Sequence, residues 1–204
     1  FTSTSAVCVT GLTAMDTADH FSVFGRTVVA LLIQTGGLGI TSIGVAFILL
    51  TGKKIGLRER ILVKEALNLD TLQGMVRLVK SIMIMTLCFE VTGMALSYLV
   101  FSQNYPSLPA LGISAFHSIA AFNNAGFDIL GGYQNLIPYR DNVLLNLTTC
   151  GLIIFGGLGF YVIREILHKR SWRNLSMHTK IVLTMTVFLL AIGTVLLKLT
   201  DNVT

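Results

Sequence analysis

Asn123-Asn124-Ala125-Gly126 interrupts an apolar run, and an acid, Asp128, follows two residues later. Glycine permits backbone angles that a Cβ forbids. Carbonyls freed by such a break can turn inward and replace the water shell of a cation. A short helix before the break aims its negative C-terminal end at the same point, and a carboxylate just beyond it enriches cations at an outer mouth. The chemistry suggested is ion coordination, without bond making or breaking. Irregular backbone of this kind survives at membrane depth only inside protein or against a water-filled cavity.

The other candidate residues suggest less. Glu90, in "LCFEVTG", is the one carboxylate deep in an apolar stretch. Burying its charge there costs about 2.5–3.5 kcal/mol on insertion scales, so it calls for a partner or a role. Hydrogen-bonded support behind a pore loop is the reading preferred over direct ion contact. His117 opens the short run before the break, and no His/Cys/Asp spacing around it matches a metal site. Together with Glu90 or Ser118 it could form an intramembrane enzyme, but no nucleophile–base spacing supports one. Glycines at 36, 37, 39 and 44, and at 156, 157 and 159, lie inside apolar stretches. Close helix packing or a hinge explains them better than a phosphate loop, which needs a strand before it. Cys8, Cys88 and Cys150 are odd in number and sit in or beside apolar sequence, so a disulfide framework is not expected.

The elements that must hold the break are membrane helices. Hydrophobic residues make up 53% of the chain and charged residues 12%, against roughly 25% charged in soluble domains. Mean hydropathy is +0.74. Four stretches approach the roughly 20 residues that cross a bilayer: Thr27 to Thr51, Leu78 to Phe101, Asn142 to Ile163 and Ile181 to Thr200. The run from Pro109 to Phe122 is too short to cross. Of the 15 Lys and Arg residues, 12 fall within 52–80 and 164–180, which puts both stretches on the cytoplasmic side. Two spans separate them, so the run ending at Phe122 must enter and leave from outside as a re-entrant helix. Residues 52–77 suggest a charged amphipathic interfacial helix with an Asp70/Thr71 cap into the next span. The net charge of +5 is dispersed over loops and does not suggest nucleic acid.

The pattern occurs twice. "FTSTSAVCVTGL" at 1–12 lies over "FHSIAAFNNAGF" at 116–127, so that Gly11 pairs with Gly126, and "GGLGI" at 36–40 lies over "GGLGF" at 156–160. Each copy leads to a basic loop on the same side. Parallel repeats place the symmetry axis along the membrane normal, as units around a pore require, and argue against the inverted repeats of many secondary transporters.

"AVCVTGLT" and "FNNAGFD", each followed by a helix with GGLG, resemble the membrane subunit of the Ktr/Trk/HKT potassium transporters, and "GKKIGLRERILVKEALN" is similar to the Ktr type. The resemblance covers the whole chain. It implies an all-α polytopic membrane protein with parallel helix–pore loop–helix repeats around a central pore. Potassium would be the substrate, passing through a filter of backbone carbonyls, with sodium a candidate requirement and no covalent cofactor. Val9, Thr10, Gly11 and Leu12 match the first filter segment and Asn124, Ala125, Gly126 and Phe127 the second. Asp128 would be an outer-mouth acid and Glu90 an intramembrane support. Glycine at position 11 goes with potassium selectivity in this family. Residues 1–51 would close repeat one, 52–77 form a cytoplasmic basic loop, 78–163 repeat two, 164–180 a second basic loop and 181–204 the first helix of repeat three. The chain, which opens without Met, is expected to be a piece of a longer one that holds two more filter segments. Its surroundings would be the plasma (inner) membrane. Its partners would be a second copy, as a homodimer, and a cytosolic nucleotide-binding regulatory ring against the basic loops. The alternative is a carrier of another cation or small solute working by alternating access. It would need inverted repeats or a half-helix N-terminus facing substrate, and neither is visible.

Overall fold

The computed structural model describes residues 1–39, 43, 61, 75–169 and 171–201. The described residues form helices and turns, with no strand among them. Among the described residues the α-helices are α1 (Thr2–Val7), α2 (Thr17–His20), α3 (Val23–Leu38), α4 (Met75–Phe101), α5 (Ser107–Phe122), α6 (Val143–Leu158), α7 (Phe160–Lys169) and α8 (Met177–Asp201). Two compact units are present, Phe1–Ile154 and Phe155–Thr204.

In the first unit α1 packs on α3, and α5 packs on both α3 and α4. Ala6 of α1, Val29 and Ile33 of α3, Phe116 and Ala120 of α5, and Ala125 and Phe127 beyond α5 share one buried cluster. The short helices of both repeats therefore rest on a common core. A second cluster, Val100, Phe101, Ala110, Ile113 and Leu145, joins the end of α4 to the start of α5 and to α6. Helix α5 begins after Pro106, and Pro109 falls in its first turn, where a missing N–H costs no intrahelical bond. It stops at Phe122, as the apolar run does.

Small residues allow the close approaches. A Cβ on Gly36 would overlap the Val7 carbonyl oxygen at the end of α1, and one on Gly37 would overlap the Asn123 side chain. On α4, a Cβ on Gly93 would lie 2.5 Å from Ser118 Oγ and 2.6 Å from Leu152 Cδ1. Ser118, fully buried, donates to the Glu90 carbonyl oxygen at 2.7 Å and so clips α5 to the α4 backbone.

In the second unit, α7 and α8 are tied through Glu165. Its buried carboxylate accepts from Lys169 Nζ (2.6 Å), Ser176 N–H (2.9 Å), Ser176 Oγ (2.6 Å) and Thr179 Oγ1. The large apolar side chains along α8, among them Ile181, Phe188 and Leu196, are exposed, as suits a helix whose solvent is lipid.

The expected spans need one correction. Among the described residues, Val79–Phe101 and Met177–Thr200 are long and apolar enough to cross a membrane, with a third only if α6 and α7 count together. The stretch from Asn142 to Ile163 is not one continuous helix: Leu158 ends α6, Gly159 takes φ +83, and α7 starts at Phe160. A left-handed glycine ends a helix readily because it carries no Cβ to clash. In the first copy α3 likewise ends at Leu38, and Gly39 caps it at φ +80. The GGLG segments thus combine both expected roles. Gly36 and Gly37 permit contact, while Gly39 and Gly159 end helices. The rest of the Thr27–Thr51 stretch, Gly44, the amphipathic segment with its Asp70/Thr71 cap and most of the 52–77 basic loop lie outside the described residues.

Candidate functional site

The two helix ends follow one geometry. At the end of α1, Val9 N–H bonds the Ala6 carbonyl (3.3 Å) and Thr10 N–H the Ser5 carbonyl (3.0 Å). At the end of α5, Asn124 N–H bonds the Ala121 carbonyl (3.1 Å) and Ala125 N–H the Ala120 carbonyl (2.8 Å). Both are Schellman closures, which require a left-handed residue right after the cap. That residue is Val9 (φ 54) in the first copy and Asn124 (φ 57) in the second. Asparagine tolerates this region, whereas a β-branched valine there is strained. Such strain persists only where the surroundings enforce it. Here the Ser5 and Thr10 hydroxyls bond each other at 2.8 Å across the turn.

Two residues on, Gly11 (φ +72) and Gly126 (φ +71) turn the chain the same way and meet. A Cβ on Gly11 would lie 2.8 Å from the Ala125 carbonyl oxygen and 3.3 Å from the Gly126 Cα, and one on Gly126 would lie 3.4 Å from the Gly11 Cα. The structure therefore brings together the glycines paired from the sequence repeat.

The neighbours divide. Ala125 and Phe127 are buried and pack into the shared core, while Asn124 and Gly126 are exposed. Asn124, Gly126 and Asp128 line a cavity of about 270 Å³ with His117, Asn135 and Thr149. In the first copy Thr10 and Leu12 are exposed and Val9 packs against the core. Half-buried Asp128 accepts from Leu130 N–H at 3.0 Å. Its burial and then the charge of Asp16 raise its pKa above 3.8, against the pull of the Leu130 N–H.

Glu90 stands behind the second break. Its Oε1 accepts from Asn123 Nδ2 at 3.3 Å, and the same Nδ2 lies 3.1 Å from Gln34 Oε1 and 2.9 Å from the Ile119 carbonyl. The hydrogen bond of Glu90 goes to the side chain that caps α5. His117 Nε2 bonds Thr149 Oγ1 at 2.9 Å and its ring meets Phe101 edge-on, tying α5 to α6 and α4. Cys8, Cys88 and Cys150 are free and exposed.

Several contributors escaped sequence reasoning. Asn123 and Gln34 are ordinary amides until α3 and α5 bring them together. Asp16 and Asp19 carry no motif, yet they bond Tyr133 N–H (2.7 Å) and Gly132 N–H (3.2 Å) in the other repeat. The one available signal was the string of glycines and amides at 131–135, which suggests left-handed turns in need of outside partners.

Short helices that end in paired glycine breaks on a shared core, among apolar helices facing lipid, define a helical membrane protein of the pore-loop-repeat class. The model of the TrkH family, described as cation transport protein, matches residues 1–204, and the chain belongs to that family. It is 42% identical over 193 residues to the Ktr system potassium uptake protein B of Bacillus subtilis (strain 168), covering 95% of this chain and 43% of that relative. It is 39% identical to the potassium/sodium uptake protein NtpJ of Enterococcus hirae, over 99% of this chain and 44% of the relative. The Ktr system potassium uptake protein B of Vibrio alginolyticus is also 39% identical, over 99% of this chain and 44% of its own length. The chain thus spans less than half the length of these relatives.

Proposed function

We propose that the whole protein takes up potassium across the plasma membrane through a filter to which this chain contributes two of its segments. Carbonyls around Gly11 and Gly126 take the place of the ion's water shell, and each glycine supplies the backbone angle that aims them. Val9, Thr10 and Leu12 flank the first glycine, and Asn124, Ala125 and Phe127 the second. Asp128 draws cations to the mouth. One observation carries the reading: two left-handed glycines, 115 residues apart in a repeated sequence, meet beyond the ends of two helices with the same closure. No covalent step is asked of any residue.

Of the three relatives, two are named for potassium uptake and one for potassium/sodium uptake, so sodium enters as a competing or required ion. A homodimer on a cytosolic nucleotide-binding ring, in contact with the basic stretches 52–77 and 164–180, completes the proposal. The test is rubidium and sodium uptake by the full-length protein in cells stripped of their own potassium uptake. Saturable rubidium uptake that potassium suppresses more strongly than sodium supports the reading. Uptake of neither ion, or equal suppression by both, overturns it.

A further inference from the structure

We infer that Asp16 is a positioning residue that locks the outer exit of the two filter segments by holding the backbone of residues 131–133. The inference rests on the filter reading above.

Asp16 is only 6% exposed although it lies in a loop. Its Oδ1 caps α2 by accepting from Ala18 N–H (2.8 Å) and Asp19 N–H (3.4 Å). Its Oδ2 accepts from Tyr133 N–H at 2.7 Å, a residue 117 positions away. Asp19 Oδ2 takes the adjacent Gly132 N–H at 3.2 Å. Two successive N–H groups from repeat two therefore end on two carboxylates from repeat one.

The segment they hold does not suit its own backbone. Gly131 (φ 89), Gly132 (φ 65), Tyr133 (φ 53) and Asn135 (φ 51) are all left-handed. Glycine accepts this freely and asparagine tolerably, but a tyrosine there is strained and needs an external tie. The Tyr133 side chain is 65% exposed and supplies no such tie. The carboxylates do, and hydrogen bonds to charged acceptors are the stronger kind.

The tie reaches the filter along short paths on both sides. Asp16 lies five residues beyond Gly11, and Tyr133 seven beyond Gly126. Asn135 and Leu136, just past the tied stretch, line the same cavity as Asn124, Gly126 and Asp128. The loop carrying Asp16 is itself anchored, because the Arg26 guanidinium on α3 donates to the Phe21 carbonyl at 3.0 Å and to the Ala18 carbonyl. A rigid route thus runs from α3 through the α2 loop to the cavity wall.

The test uses the full-length protein in membranes. Asp16→Asn keeps one acceptor, and asparagine caps a helix as well as aspartate does, so the oxygen stays with α2 and the Tyr133 tie goes. Losing a bond to a charged acceptor corresponds to about one decade or more. The potassium-to-sodium preference of Asp16→Asn should therefore fall about tenfold, with membrane level unchanged. Asp141→Asn, an exposed acid paired with its neighbour Arg140, should leave the preference intact. Hydrogen exchange over residues 131–136 provides a second reading that needs no variant. Gly132 and Tyr133 are exposed, yet their tied amides should exchange slowly in the unaltered protein and faster in Asp16→Asn. Rapid exchange in the unaltered protein overturns the inference, and so does a folded Asp16→Asn protein with unchanged preference or unchanged exchange. Failure of the filter reading would look different: the unaltered protein would show no preference for potassium while the slow exchange remained.

Discussion

Replacing Gly36 with alanine tests how closely α3 approaches the first pore helix. A Cβ at this position would lie 2.8 Å from the Val7 carbonyl carbon and 3.1 Å from its Cα, with the oxygen nearer still. Ordinary contacts between carbon atoms begin at about 3.5 Å. The obstacle is backbone, so no rotamer change removes it, and α3 must back away from α1 by a substantial fraction of an ångström. Overpacking of this kind costs about 1–3 kcal/mol, and an immovable partner argues for the upper half. Alanine returns at most about 1 kcal/mol of helix propensity. The net loss should be near 2 kcal/mol, about 30-fold in the folded-to-unfolded ratio. Gly151→Ala on α6 is the control. A Cβ there meets nothing within 4 Å, so it should be neutral or slightly stabilising. Thermal unfolding of the full-length protein in detergent, with rubidium uptake in cells, measures both. If Gly36→Ala unfolds with Gly151→Ala and transports normally, the close packing of α3 on α1 is wrong.

Three further outcomes follow from the contacts. Glu90→Gln keeps an oxygen for Asn123 Nδ2 and should retain most transport, whereas Glu90→Leu should lose about 1–3 kcal/mol of stability or much of its activity; equal, near-normal uptake by both would remove Glu90 from the support of the pore helix. Cysteine at Arg77 should be labelled only from the cytoplasm and cysteine at Asn135 only from outside, both residues being exposed; labelling from one side would abolish the re-entrant arrangement. Glu165→Leu strips Ser176 and Thr179 of their acceptor and should lower the unfolding temperature more than Glu165→Gln does; identical temperatures would show that the cluster does not hold α7 to α8.

What could be read from the sequence was whatever local chemistry determines. The run to Phe122 is too short to cross and ends in a glycine break, and the structure has a helix and a break there. The pairing of Gly11 with Gly126 was visible as a repeat because both loops face the same backbone requirement. A hinge among these glycines was expected but not its place at Gly159, because the glycines in "GGLGF" look alike until packing decides which one leaves the helix. The role of Asn123 depends on Gln34, 89 residues away, and the Asp16 tie joins loops with no shared pattern. Such contacts arise when α1 and α5 settle on one core, and local sequence hints at most that a turn needs an outside partner, not which one. Glu90 lay between these cases. Its cost in an apolar span called for a partner, but only the packing of α4 on α5 shows that the partner is the Asn123 amide.

The most direct test of the account is the potassium-to-sodium preference of Gly11→Ser and Gly126→Ser in the full-length protein. At Gly11 the added Cβ would press within 2.8 Å of the Ala125 carbonyl oxygen, and at both positions it must adopt a φ near +70°. Gly151→Ser, with open space around it, serves as the control for expression and packing. The account predicts that both filter variants reach the membrane yet discriminate potassium from sodium less well, while Gly151→Ser does not change. Unaltered preference in both filter variants would contradict the assignment of Gly11 and Gly126 to the filter.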